Sequence, residues 1–190
     1  MRIALIVIGV LLLGGLLLGG KLIGSRNDLV VKREAIEGSW AQVDVALQRR
    51  ADLIPNLVST VKGYATQEKE IFTNIANARA AMGGARTPAD KIAANGQLDS
   101  ALSRLLVIVE NYPVLKSNEN FMRLQDELAG TENRIAIERR KYNEIVKDYN
   151  TTRELFPTNI AASIFNFPRN DAYFKTDPGA RTAPKVDFSK

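Results

Sequence analysis

The sequence contains no cysteine and no histidine. The first absence removes disulfides, thiolate nucleophiles and cysteine metal ligands. The second removes Ser-His-Asp triads and the commonest ligands of zinc and haem. Carboxylates, lysines and tyrosines are what remain for chemistry, and the redox compartment is left open. Aromatic residues are sparse at 7%, with a single tryptophan, Trp40. An excess of one charge is also missing. Twenty-six Lys and Arg stand against 21 Asp and Glu, a formal net charge of +5, with the two signs interleaved along the chain. That pattern reads as a solvated mixed-charge surface, so no nucleic-acid partner is expected. A chain of 190 residues with 45% hydrophobic content holds one domain plus appendages.

Long apolar runs are not lacking. Residues 3–20, IALIVIGVLLLGGLLLGG, carry no charge. As a helix they span about 27 Å, and about 33 Å if continued to Gly24 with Lys21 reaching toward the headgroups, enough for a bilayer core of about 30 Å. A cleaved signal peptide would have a shorter apolar core and a small-residue cleavage site, whereas SRNDLVVKREAIEGSW runs on into helix. The expectation is an uncleaved single-pass anchor over residues 1–24. Gly15 and Gly19 form one GxxxG pair that would permit close helix approach. Arg2 precedes the span, and Lys21, Arg26, Lys32 and Arg33 follow it, so the positive-inside rule places the soluble body in the cytoplasm.

Beyond Gly24 the apolar periods are helical, and the fold class expected is all-α. Ile36, Trp40, Val43 and Leu47, then Ala51, Ile54, Val58, Val61, Ala65, Glu68, Phe72, Ile75, Arg79 and Met82, step by three and four. This predicts one long helix ending at Gly83-Gly84. It carries an eleven-residue step from Trp40 to Ala51 and a kink near Pro55, a residue with no N–H and a ring that crowds the preceding turn. Thr87-Pro88-Ala89-Asp90 reads as a capped start for a second helix, which Pro113 ends. A third helix, about 39 residues or about 58 Å long, carries the ladder Phe121, Leu128, Ile135, Tyr142, Tyr149, Phe156 and ends at Pro157. A short fourth follows in TNIAASIF. The architecture predicted is therefore an N-terminal transmembrane helix followed by an antiparallel up-down bundle over 25–167, with an irregular C-terminal tail over 168–190. Phe167 at its boundary and Tyr173, Phe174 and Phe188 within it are candidate docking anchors. The second helix is too short to cover the stretch from Arg26 to about Arg50. A second copy of the chain, the long third helix or a stalk arrangement would serve there.

Chemical motifs are few. Glu127, Glu132 and Glu138 do not have the Glu-x-x-His spacing of di-iron bundles, and pairing with Arg134, Arg139 and Arg140 accounts for them. GGART lacks the phosphate-cradle pattern. No catalytic residue, metal ligand or cofactor is assigned. Tyr142-Asn143 and Tyr149-Asn150 recur seven residues apart on one face. Either the tyrosines bury their rings with the polar tips satisfying one another, or Asn143 and Asn150 belong to a recognition stripe for a peptide or partner helix. Lys32, Arg33, Arg49 and Arg50 are candidates for an interaction surface toward anionic lipid.

The stretches NDLVVKREAIEGSWAQVDVALQRRADLIPNLVSTVKGYA and ENYPVLKSNENFMRLQDELAGTENRIAIERRKYNEIVKDYN, followed by FP, resemble the LemA family of bacterial membrane proteins. The resemblance covers about Asn27 to Phe188, with Val114 standing where a polar residue is usual. It implies a single-pass membrane protein with an antiparallel helical bundle; it does not imply an enzyme, and it offers no catalytic residues to carry over. Members of the family are associated with genes for membrane metalloproteases and TPM-domain proteins, which implies envelope partners of those kinds by association. The function expected is a non-catalytic, membrane-anchored scaffold of the bacterial envelope, self-associating or membrane-shaping. A signalling adaptor pivoting at Pro55 and a carboxylate-based hydrolase or enzyme subunit are the alternatives.

Overall fold

The computed structural model describes residues 2–175, apart from the side chains of Arg2 and Ala4. Among the described residues there is no strand. Six helices follow in order: α1 (Arg2–Lys62), α2 (Lys69–Gly84), α3 (Pro88–Val109), α4 (Pro113–Lys116), α5 (Glu119–Glu154) and α6 (Thr158–Ile164). The all-α bundle read from the periodicity is the fold observed.

The first predicted helix needs a correction. It runs unbroken through Pro55, but residues 63–68 form a turn and α2 doubles back. Gly63 loosens the helix at that point, and the N–H groups of Tyr64 and Ala65 both bond the Val61 carbonyl, at 3.0 and 2.9 Å. The period conceals the turn because apolar residues continue in step across it. Ala65 is buried in the turn itself, and Phe72, Ile75 and Met82 are buried on a helix of opposite direction.

Two helix starts form as their sequences dictate. The Thr87 hydroxyl oxygen accepts from the Asp90 N–H at 3.1 Å while its proton goes to the Asp90 carboxylate, with Pro88 at the first helical position. The Asn118 side chain accepts from the Phe121 N–H at 3.1 Å to open α5.

Helix directions follow from cross-helix pairs. Lys91 pairs with Asp44, and Arg50 with Asp99, so α3 runs parallel to α1. Lys62 lies over the Phe72 ring, and Arg79 reaches Ala51, so α2 runs antiparallel to it. Asn118 bonds the Tyr64 hydroxyl, and Lys32 pairs with Asp148, so α5 lies antiparallel along α1 over nearly all its polar length. The half far from the apolar run is thus an up-down-up-down set of α1, α2, α3 and α5. The near half consists of α1, α5, α6 and a returning segment, 167–175. At the eleven-residue step both Ala46-Leu47 and Arg50-Ala51 are buried, because α1 there meets α3 and α5 together.

The stretch between Arg26 and Arg50, for which three coverings were open, lies against α5. Leu29, Ile36 and Val43 are buried in the same core as Tyr142, Val146 and Tyr149. On α5, Phe121, Ile135, Tyr142 and Tyr149 are buried and Leu128 is packed against the core. Phe156 is not a rung of this ladder. Helix α5 stops at Glu154, and the Phe156 side chain is 79% exposed.

Candidate functional site

The Tyr-Asn repeat organises the near half. The Asn143 amide donates to the Phe174 carbonyl at 2.8 Å and accepts from the Phe174 N–H at 3.0 Å. One heptad on, the Asn150 amide donates to the Asn170 carbonyl at 2.7 Å and accepts from the Asn170 N–H at 3.0 Å. Each asparagine therefore reads a main-chain unit with both ends of its amide, as a neighbouring strand would. Asn150 also donates to the Tyr173 hydroxyl at 2.8 Å. The Tyr149 hydroxyl donates to the Pro168 carbonyl at 2.7 Å, and Arg153 Nε to the Phe167 carbonyl at 2.8 Å. Asparagine at this spacing supplies a donor and an acceptor without charge, which suits an irregular segment lacking a sheet partner.

Aromatic packing closes the same strap. Trp40, Tyr142 and Phe174 form a triangle with ring centroids 5.4 to 6.1 Å apart. The Arg139 guanidinium sits 5.0 Å from the Phe174 ring centre, and Arg33 5.5 Å from Phe167. Phe167, Tyr173 and Phe174 dock on the bundle, while Phe188 lies outside the described residues. The chain turns back from α6 into the strap at Asn166, whose φ of 53° is left-handed, a conformation asparagine tolerates better than most residues. Tyr142 is fully buried and its hydroxyl has no hydrogen-bond partner; burial raises its pKa above the ordinary 10.0, and the nearby Asn170 side chain opposes part of that rise.

Asn143 and Asn150 are thus engaged by the chain's own segment. The four basic candidates do not form one surface. Lys32 pairs with Asp148, Arg33 covers Phe167 and Arg49 is exposed. Arg50 must be withdrawn from a lipid-facing role: it is 8% exposed and paired with Asp99 at 2.5 Å and Glu132 at 2.7 Å. The widened contact face at the eleven-residue step carries it inward between α3 and α5. Asn95 donates to Asp99 at 2.8 Å, and Arg139 lies 3.7 Å from the same carboxylate, so charges from three helices meet at one level. Sequence reading missed Asn95 and Asp99. The single signal for them was their spacing of four on the α3 face that also carries Leu98 and Leu102.

The second concave feature surrounds Pro55. Between α1 and α2 lies a groove of about 450 Å³, floored by Leu47, Ile54, Val58, Phe72, Ile75 and Met82 and reached by Asp44, Lys62, Arg79 and Lys91. Pro55 lacks the N–H that the Ala51 carbonyl would otherwise accept from. Arg79 of α2 fills that need, its Nε–H donating to the Ala51 carbonyl at 3.3 Å. The neighbouring Asp52 carboxylate accepts from Gln48 at 2.9 Å. Arg79 interrupts the apolar seam of α2 because it reaches across to α1.

Carboxylates are dispersed. Glu138, buried in the α5 seam, pairs with Lys141 at 3.3 Å, and Glu132 serves Arg50. Among the described residues no three Asp or Glu side chains converge in a metal-binding group.

Comparison with known proteins accords with this architecture. Magnetosome protein MamQ 2 of Paramagnetospirillum magneticum is 28% identical over 182 aligned residues, covering 82% of this chain and 66% of that protein. Magnetosome protein MamQ of Magnetospirillum gryphiswaldense shows the same identity and coverage. Protein LemA of Metamycoplasma hominis is 25% identical over 140 residues, covering 72% of this chain and 63% of the relative. The chain thus spans just under two thirds of the length of the relatives it matches. The LemA family model matches residues 39–188, from within the polar part of α1 through the strap and beyond. The chain belongs to the LemA family.

Proposed function

We propose that this protein is a membrane-anchored helical scaffold whose work is to hold a rigid body at the membrane and present it to partners. One observation carries the reading. The apolar segment, none of whose described residues is buried, and the core-forming segment from Leu29 to Val61 belong to a single helix, α1. A helix with apolar residues on every side is at home in a bilayer, and here it continues into the bundle core without a linker. The polar groups that might have suggested chemistry support this assignment. Asn143, Asn150, Arg50, Glu132 and Glu138 all serve packing contacts within the fold. Similarity to proteins named for the magnetosome supports the membrane-associated part of this reading.

Partners follow from what is left uncovered. Because α5 covers the α1 seam, self-association is assigned to the span. Cβ atoms added at Gly15 or Gly19 would meet open space. Other envelope membrane proteins are the second partner class. The excess of Lys21, Arg26, Lys32 and Arg33 after the span supports a cytoplasmic body. Carbonate washing of native membranes, followed by photobleaching step counts on the tagged full chain, tests both parts. Retention with two or more steps, reduced to one by Gly15→Leu with Gly19→Leu, is the expected result. Release by carbonate overturns the anchor, and single steps in the unaltered chain overturn self-association.

The groove supports a second reading, an adaptor in which α2 shifts against α1 around Pro55. Pro55→Ala restores the helical N–H donor to Ala51 and competes with Arg79 for it. On this reading the substitution alters capture of a cross-linked membrane partner while thermal stability holds. Unchanged capture would count against the adaptor.

A further inference from the structure

The structure assigns a second membrane contact to the elbow between α5 and α6. Resting on the reading that α1 spans the bilayer, we infer that Leu155, Phe156, Ile160, Ile164 and Phe165 seat in the interfacial layer of the leaflet from which α1 emerges. These are five large apolar side chains within eleven residues, each between 41% and 79% exposed. Such density on a short turn-and-helix is unusual for a surface bathed only in water.

Their height along α1 is what identifies the occupant. The Lys32–Asp148 pair sets the register of the two antiparallel helices. Seven residues further along α5, about 10 Å, Leu155 is level with residue 25 of α1. The Arg26 guanidinium lies 5.7 Å from the centre of the Phe165 ring, an independent marker of the same level. The uncharged run ends at Gly20, about 8 Å below. The elbow therefore sits where the acyl chains of a spanned bilayer give way to headgroups. Helix α6 packs on α1, with Ala161 and Ala162 buried, Leu29 fully covered, and Leu22 and Ser25 half-covered. Its small residues face α1, which turns Ile160 and Ile164 outward. Arg153, placed next to the elbow, neutralises Glu154 at 2.5 Å, so a carboxylate at this level does not stand unpaired against the lipid.

Exposed apolar side chains at the opposite end do not share this geometry. Tyr64, Val107, Val114 and Met122 come from separate segments and lie near the end of α1, about 55 Å from the level of residue 25. They serve as the internal control.

The absence of native cysteine makes the test direct. Single cysteines replace Leu12, Phe156, Ile164 or Val114 in the full chain, each carries an environment-sensitive fluorophore, and each protein is reconstituted in phosphatidylcholine vesicles containing lipids spin-labelled at shallow or deep positions. The expected result is deep quenching at 12, shallow quenching with a blue-shifted emission at 156 and 164, and neither at 114. Quenching at 12 with 156 and 164 behaving like 114 overturns the elbow contact and leaves the span standing. Blue-shifted emission at 156 and 164 without lipid quenching means that protein covers them, which also overturns it. An unquenched label at 12 overturns the span reading itself and the elbow with it. Both elbow positions are exposed, so circular dichroism should report an unchanged fold.

Discussion

The two halves of the bundle are built from overlapping stretches of the same helices, yet they are finished differently. Near the apolar run, α1 and α5 are joined by α6 and the strap, and side-chain amides hold the strap's main chain at two points one heptad apart. Further out, α2 and α3 lie beside the same two helices, but α1 and α2 do not close, leaving the groove at Pro55. The near half closes with aromatic rings and main-chain recognition. The far half relies on longer polar reaches such as Arg79 to Ala51 and Arg50 to Asp99. A proline in α1 and a strand-like segment without a sheet create the same need, carbonyls lacking donors. One half meets it with asparagines on a neighbouring helix, the other with an arginine from across a gap.

Substitutions in matched pairs would break or sharpen this contrast. The largest effect is expected at Tyr142, fully buried between Trp40 and Phe174. Tyr142→Ala should cost about 3–5 kcal/mol in denaturant unfolding. Tyr142→Phe should be close to neutral, since the hydroxyl has no hydrogen-bond partner to lose. Next comes added volume. Ala161→Leu in the closed half should destabilise by about 1–3 kcal/mol, because the site has no room. Ala80→Leu at the groove should change stability by less than about 0.5 kcal/mol, because the added carbons enter open space. Equal costs for the two would erase the distinction between the halves.

Smaller still is the clamp itself. Asn150→Ala should cost about 1–2 kcal/mol and accelerate hydrogen exchange within residues 167–175, with little change in α2 and α3. Asn143→Ala should do less, since Asn143 makes two bonds to the strap where Asn150 makes three. Exchange spread evenly over both halves would contradict a local clamp.

The smallest effect appears only in alkali. Burial raises the Tyr149 pKa above its ordinary 10.0, with Arg153 and Arg33 opposing. The neutral phenol is the form the fold prefers, so its contribution is fully present below pH 10 and is lost as pH rises through the higher folded-state value. Tyrosinate absorbance followed together with strap exchange should show both rising above pH 10. Tyr149→Phe should remove that component of the response.

Much of this was legible beforehand because it rests on local chemistry. Thr87 and Pro88 announce their helix, Thr87 through the Asp90 N–H that it caps and Pro88 by standing where no N–H is needed. The ladder on α5 was readable from period alone as far as Tyr149. Two things were not. The turn at Gly63 hides within an unbroken apolar period, since hydrophobic spacing reports burial and not the direction in which a helix runs. Phe156 looks like a further rung because a heptad count cannot see that the helix ends two residues earlier. The strap was half-visible: its aromatic anchors were identified and the Tyr-Asn repeat stood out, but linking them required knowing that α6 turns the chain back. Asp99 and Arg79 could be recognised only once the helices that meet them were in place.

The continuity of α1 also has a mechanical meaning. From Gly24 to Lys62 the helix extends about 57 Å beyond the apolar run, and α5 stiffens almost all of it. With the apolar run in a bilayer, as proposed above, such a rod would be a lever with its fulcrum there. A tilt of only about 10° at the fulcrum would sweep the far end through about 10 Å. Changes in bilayer thickness, which helices commonly absorb by tilting, would then be magnified into displacements of the groove large enough for a soluble partner to register.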